Sequence, residues 1–358
     1  MTLRPLTLRR IAPVATVAAI ALALSGCAPA PEKTDSPAAS DFCARMVTNS
    51  GGLEDRSFNQ SSWAGLQEAK KQFGIDVQVL VSTAETDLEP NVEQAAASGC
   101  GFVLTVGYEL TPATQKFAAA NPKTDFAIVD DVVDAPNVKP IVFDTAQAAV
   151  LAGYLAAGTS KTGVVGTFGG GNQPPVTLFM DGFVDGVALY NKKHDTKVKA
   201  LGWNKAKQDG AFTGDFEDTA KGLTVTKNLI DLGADVILPV AGQVGEGAAA
   251  AALAAGNVSV IWVDNDGYDT LPAEYRPILL TSVLKNTSAA VVDIAKSAED
   301  GTFTNEPFIG TLENDGVGIA PFHDLASSVT PELSAEIDAL KADIVSGAVT
   351  VTSPSTPK

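Results

Sequence analysis

Histidine is almost absent from this chain, and that shortage removes most of the common hydrolytic chemistries. His194 and His323 are the two that occur in 358 residues. His194 lies in Asn191-Lys192-Lys193-His194-Asp195, which reads as a solvated loop after a helix, and His323 lies in Pro321-Phe322-His323-Asp324, beside a proline turn. A Ser-His-Asp triad would need one of them, and no G-x-S-x-G elbow accompanies either. No H-E-x-x-H and no paired C-x-x-C is present to hold zinc. Basic side chains are also few: 25 Lys and Arg stand against 42 Asp and Glu, for a net charge of −17. Residues 1–26 carry three of those arginines and no acid, so the chain beyond them is near −20. Such a balance excludes a nucleic-acid surface and electrostatic adhesion to an anionic membrane. Two glycine stretches fail as phosphate loops. Gly153 to Ser160 has Thr159 where a lysine should stand and begins in a helical pattern. Gly163 to Gly171 follows a strand but lacks the G-x-G-x-x-G spacing. No cofactor and no enzymatic activity is expected.

Cysteine is scarce as well, and each of the three has a distinct setting. Arg4, Arg9 and Arg10 precede an apolar run from Ile11 to Leu24, too short for a comfortable membrane span. Leu24-Ser25-Gly26-Cys27 then resembles the lipobox of bacterial lipoproteins, which implies a signal peptide over 1–26 and lipid on Cys27. The alternatives are an uncleaved anchor or a cysteine there by chance. Residues 27–41, rich in Pro, Ala and Ser, read as a flexible tether. The protein is therefore expected on the extracytoplasmic face of the cell membrane, held by lipid and not by charge. Cys43 and Cys100 open two predicted strands. First and third strands are often neighbours in a doubly wound sheet, so a disulfide is expected outside the cytoplasm. Two buried thiols or a metal site are the alternatives, and no histidine lies near either cysteine.

About 318 residues follow the tether, enough for two domains. Apolar strand runs alternate with helical patterns throughout. In the first series the strands are Ala44–Thr48, Val77–Val81, Phe102–Val106, Phe126–Val129 and Lys139–Phe143, with helices at Gln60–Phe73, Glu89–Ser98 and Pro112–Asn121. A second series alternates helices at Ala146–Ala157, Val176–Tyr190, Thr219–Leu232 and Glu246–Ala255 with strands at Thr162–Thr167, Lys197–Leu201, Val236–Val240 and Val258–Val263. Continuous apolar strands indicate parallel sheets covered on both faces, hence two α/β lobes. The remainder, with a strand at Leu279–Leu284, a helix at Ser288–Glu299, short strands near Gly310 and Val317 and a helix over Pro331–Ser346, fits a chain that crosses between lobes more than once. The expected lobes are 42–143 plus 286–303, and 144–285 plus 304–358.

Polar residues recur where strands end. Asn49 and Asp130 do so in the first series, Gly242 and Asp264 in the second, and Lys285 after Leu279–Leu284. Carboxyl edges of parallel sheets are where ligands bind, and in a two-lobed protein they face the cleft. Phe58 and Phe216 sit in polar loops before helices, which suits stacking on a flat ligand better than core packing.

The stretch from Asn49 to Gly65, with Gly51-Gly52, Asp55, Ser57-Phe58-Asn59 and Trp63-Ala64-Gly65, resembles the signature of the BMP (basic membrane protein) family, the PnrA-like nucleoside-binding lipoproteins. Further matches run in order through Phe126–Asp130, Leu151–Ala157, Asp181–Gly186, Gly233–Gly242, Val263–Asp266, Thr281–Asn286 and Gly316–Pro321. The resemblance implies a periplasmic-binding-protein type I fold, two Rossmann-like lobes joined by three crossovers. It also implies a monomeric receptor that hands a purine nucleoside to ABC permease subunits. Carried over, Phe58 and Phe216 would sandwich the base, Asn49, Asn59 and Asp130 would read its polar edge, and Gly242, Asp264 and Lys285 would take the ribose. This chain departs from the family by carrying Asn49 where Asp is common, and Trp203 is a rival for the second stacking position. Glu54 and Asp55 in the first turn argue against a phosphate there, so a nucleoside is expected and a nucleotide is not.

Overall fold

The computed structural model describes residues 40–358. The expected signal peptide, Cys27 and nearly all of the expected tether lie outside the described residues. The first series folds as β1 (Cys43–Val47), α1 (Phe58–Phe73), β2 (Asp76–Leu80), α2 (Glu85–Ala96), β3 (Phe102–Val106), α3 (Thr111–Ala120), β4 (Asp125–Val129) and β5 (Val138–Phe143). The second begins with α4 (Thr145–Thr159), β6 (Val164–Gly169), α5 (Pro174–His194) and β7 (Lys199–Leu201). A small hairpin, β8 (Trp203–Asn204) and β9 (Asp209–Gly210), precedes α6 (Thr219–Asp231), β10 (Val236–Val240), α7 (Val244–Ala255), β11 (Ser259–Asp264), α8 (Gly267–Thr270) and β12 (Leu279–Lys285). The chain closes with α9 (Thr287–Glu299), β13 (Phe308–Gly310), β14 (Val317–Ile319) and α10 (Pro331–Val345).

The first sheet has the order β13-β5-β4-β3-β1-β2 and the second β14-β12-β11-β10-β6-β7. Every pairing in the first is parallel, and in the second only β14 runs antiparallel. The fully buried apolar strands β3 and β10 sit inside these sheets, as expected when helices cover both faces. The polypeptide passes between sheets three times: at Asp144, at Asn286 and between β13 and β14. These passages lie side by side, with Asp144 N–H donating to the Gly310 carbonyl (2.8 Å) and Asn286 N–H to that of Gly316 (2.9 Å). Three adjacent strands of connection make a hinge.

One boundary differs from the sequence expectation, which gave everything from residue 304 to the second lobe. Instead β13 pairs with β5, placing Phe308 opposite Ile141, and its ring packs edge-on against Phe143 at 5.8 Å. The first lobe therefore reaches Gly310. Cys43 and Cys100 are joined by a disulfide with their Cα atoms 4.9 Å apart. Pairing of β1 with β3, Ala44 opposite Phe102, brings them together.

Helix α4 has no polar face because it is buried almost all round. It packs on α5 at backbone distance: a Cβ on Gly153 would stand 2.0 Å from the Phe183 carbonyl oxygen, and one on Gly186 would stand 2.1 Å from that of Val150. Those contacts are with backbone and cannot yield, which explains small residues along both helices. Gly153 to Thr159 are helical, in agreement with rejecting them as a phosphate loop. Among the described residues no helix is long and apolar enough to cross a membrane.

Candidate functional site

In each sheet the strand order reverses once, between β1 and β3 in the first and between β6 and β10 in the second. Loops leaving neighbouring strands diverge there and open a crevice at the carboxyl ends. The two crevices face one another across a cavity lined by residues of both lobes, the usual place for a small-molecule site in a two-lobed α/β protein. Asn49 and Gly107 follow β1 and β3, while Gly170 and Gly242 follow β6 and β10. Four of the strand ends at this cavity take positive φ: Gly107 (125°), Asp130 (72°), Gly242 (52°) and Asp264 (67°). For the two aspartates this left-handed backbone is uncommon and turns the side chain into the cleft.

Asn49, Phe58, Asp130, Phe216, Gly242, Asp264 and Lys285 all line this one cavity. Asn59 does not. It is fully buried behind the wall, its Nδ2 donating to Asn49 Oδ1 (2.7 Å) and its Oδ1 accepting from the Asn49 N–H (3.3 Å). Its expected place at the base edge is therefore replaced by one that positions Asn49. Trp203 is also elsewhere: it donates to Asp181 Oδ1 (2.7 Å) and packs edge-on against Phe212. Phe216 and Phe179 are the aromatic residues of the second lobe that line the cavity, Phe216 from a loop and Phe179 from α5.

Lys285 is the electrostatic centre. Its ammonium lies 2.6 Å from Asp130 Oδ2 and 3.6 Å from Asp264 Oδ1, with the Phe58 ring centroid at 4.6 Å. Burial alone would lower its pKa, but the two carboxylates more than offset that and hold it above the ordinary lysine value. Burial raises the pKa of Asp130, against the opposing pull of Lys285. The three groups carry one net negative charge, so a ligand with hydroxyl donors suits them and an anion does not. Asp130 was expected with the base readers, and its bond to Lys285 puts it in this cluster.

Phe216 lies against Gly170, where a Cβ would stand 2.4 Å from its ring. Gly170→Ala is thus expected to displace the ring and weaken ligand binding about tenfold, with a change in stability below about 1 kcal/mol. Calorimetric titration beside thermal melting checks this, and unchanged affinity would argue against a role for the ring's position.

The start of α1 is held by Asp55, whose carboxylate accepts from the backbone N–H groups of Ser57 (3.1 Å), Asn59 (2.7 Å) and Gln60 (3.1 Å). Burial pushes its pKa up to about 6 from 3.8, even though those three donors favour the charged form. A folded pKa above the unfolded one stabilises the fold fully below pH 4 and loses that contribution as pH rises through 6. Wild type should therefore lose on the order of 3 kcal/mol relative to Asp55→Asn between pH 4 and 7. A stability difference that stays flat across that range in denaturant titrations would contradict the assignment.

Several site features carried no recognisable sequence signal. Glu109 and Gln173 line the cavity from opposite lobes and bond each other (Gln173 Nε2 to Glu109 Oε1, 3.0 Å). Asn265 Nδ2 donates to the Ser57 carbonyl (2.7 Å), and Ser57 Oγ bonds Asp264, also across the cleft. These contacts describe a closed form. The histidines stand apart from it. His194 ends α5, a helical place where a loop was expected, stacked on Tyr190 and bonded to Glu336 (2.8 Å). His323 is stacked on Tyr268 and bonded to Asp266 (2.6 Å).

A two-lobed α/β chain with polar strand ends converging on an inter-lobe cavity can be compared with known proteins. The family model described as ABC transporter substrate-binding protein PnrA-like matches residues 43–354. The chain belongs to this family. It is accordingly a substrate-binding protein of the ABC-transporter type and not an enzyme. Among its relatives is the ABC transporter nucleoside-binding protein BmpA of Lactococcus lactis subsp. cremoris, 33% identical over 363 residues, which cover 95% of this chain and 99% of that one. An uncharacterized lipoprotein of Pyrococcus abyssi is 29% identical over 278 residues, 75% of this chain and 66% of that protein. A crystal structure of an ABC transporter solute-binding protein from Aeropyrum pernix K1 matches with a TM-score of 0.77 at 22% identity, covering 88% of this chain and 94% of that one. That likeness concerns the fold, which is of the periplasmic-binding-protein type I kind.

Proposed function

We propose that this family member captures a purine nucleoside in the inter-lobe cleft and presents the closed form to the permease subunits of an ABC importer. The observation that carries the reading is the pairing, in one cavity, of Phe58 and Phe216 from opposite lobes with the Asp130–Lys285–Asp264 cluster. Flat apolar faces suit a base, and carboxylates that accept beside an ammonium that donates suit a ribose diol. The nucleoside-binding relative at 33% identity supports the same choice. Closure is a hinge movement about the three crossovers, with ligand contacts and the Asn265–Ser57 bond favouring the closed state. Lipid on Cys27 would hold a monomer at the extracytoplasmic face, a reading supported by the lipobox-like Leu24 to Cys27 and by a relative named as a lipoprotein.

A thermal-shift screen of nucleosides, nucleotides, sugars and amino acids tests the ligand. Stabilisation by purine nucleosides is expected, with nucleoside monophosphates clearly weaker. A shift from a sugar or an amino acid with none from any purine nucleoside would overturn the reading. Loss of metabolic palmitate labelling in Cys27→Ser tests the anchor, and unchanged labelling would refute it.

A further inference from the structure

The Asn49 amide has only one possible orientation, and the backbone determines it. Asn49 N–H donates to Asn59 Oδ1 (3.3 Å), which forces the Asn59 amide to turn its Nδ2 toward Asn49 Oδ1 (2.7 Å). The same Asn49 Oδ1 accepts from the Gly51 N–H (3.1 Å). Flipping either amide would set a donor against a donor, so Oδ1 is committed as an acceptor within the wall and Nδ2 is left over. Asn49 is only 8% exposed, lines the cavity, and its Nδ2 meets no acceptor among the described residues. An aspartate at the same place would offer an acceptor; this chain offers a donor.

Glu109 complements it. One of its oxygens is taken by Gln173 Nε2 from the other lobe (3.0 Å). The other, Oε2, lies 2.8 Å from the point where a Gly107 Cβ would stand, and Asn49 Nδ2 lies 3.4 Å from that same point. The absence of a side chain at Gly107 lets Asn49 and Glu109 converge on this corner of the cavity wall, a donor and a carboxylate acceptor side by side.

We infer that this corner selects bases that present a lactam edge, a ring N–H beside an exocyclic carbonyl, Asn49 Nδ2 donating to the carbonyl oxygen and Glu109 accepting from the ring N–H. Hypoxanthine and guanine carry that edge. Adenine presents the reverse, an amino donor beside a bare ring nitrogen, and would set donor against donor at Asn49. The inference rests on the nucleoside reading above and sharpens it to 6-oxopurine nucleosides. Buried polar groups left unpaired by the wrong ligand are what make such discrimination strong.

Calorimetric titration of the full mature chain with inosine and with adenosine, which differ only at this edge, is the test. Inosine is expected to bind at least tenfold more tightly. Asn49→Asp, which keeps an acceptor for Asn59 and Gly51 but removes the donor, should weaken inosine and strengthen adenosine until the preference is lost or reversed. Glu109→Gln, whose amide oxygen can still accept from Gln173 while its Nε2 takes the place of Oε2, should weaken inosine about tenfold and strengthen adenosine, whose bare ring nitrogen can accept from that amide, and serves if Asn49→Asp does not fold. Equal affinities in the wild type, or tighter adenosine, would overturn the lactam assignment while leaving nucleoside binding intact. Binding of neither would overturn the nucleoside reading itself, and this inference with it.

Discussion

Lys285→Met is expected to abolish ligand binding and to lower the unfolding free energy by about 3–5 kcal/mol, the usual cost of breaking a buried ion pair from one side. The ammonium is almost fully buried, at 3% side-chain exposure, and it is the cation lying between Asp130 and Asp264. Without it two carboxylates face each other in a low-dielectric cavity, and Asp130, already raised by burial, rises further. The destabilisation should therefore shrink as pH falls and Asp130 takes up its proton, and grow toward neutral pH. A triple variant with Asp130→Asn and Asp264→Asn added should recover most of the stability, because the charge is gone, and none of the binding. Chemical denaturation of the three proteins separates these terms. A stable Lys285→Met protein that binds normally would remove the cluster from the site.

Phe58→Ala and Phe216→Ala are each expected to weaken binding by about 1–3 kcal/mol, the range found for a single base stacked on an aromatic ring. That corresponds to roughly five- to 150-fold in Kd. The two should differ in their secondary effects. Phe58 opens α1 and covers the Lys285 ammonium at 4.6 Å, so its loss also exposes that charge to water and should cost stability. Phe216 sits in an irregular loop over Gly170, and its loss should leave the melting temperature nearly unchanged. Phe216→Leu distinguishes stacking from simple burial, because it keeps an apolar side chain and discards the flat face. If the leucine variant binds as well as wild type, the ligand is not a stacked base.

Much of the fold was legible because parallel sheets covered on both faces leave a strong trace. Runs such as Val236–Val240 and Phe102–Val106 are almost wholly apolar, are buried at every position and occupy the strands read from them. The partition between lobes was harder. Phe308–Gly310 is three residues long, and nothing local to it says which of two sheet edges it will extend. Its place depends on Phe143, far away in the chain. At the site, residues on strand ends were found because topology puts them at the cleft whatever their partners are. Asn59 was assigned to the base edge by the family resemblance and not by any strand end, and its side chain instead lies behind Asn49. Trp203 looked like a stacking plate until the β8–β9 hairpin buried it against Phe212. Glu109, Gln173 and Asn265 matter through contacts across the cleft, and such contacts exist only once two lobes have been placed together. A polar residue in a loop gives no sign of that beforehand.

If the cleft between the lobes is built for a nucleoside, titration calorimetry of the chain without residues 1–26, with inosine in parallel with D-ribose and hypoxanthine, will show it. One site per chain is expected, with inosine bound at least a hundredfold more tightly than either fragment, since the base and sugar contacts come from different walls of one cavity. Inosine binding no tighter than free ribose, or no binding of inosine beside clear binding of another sugar, would contradict it.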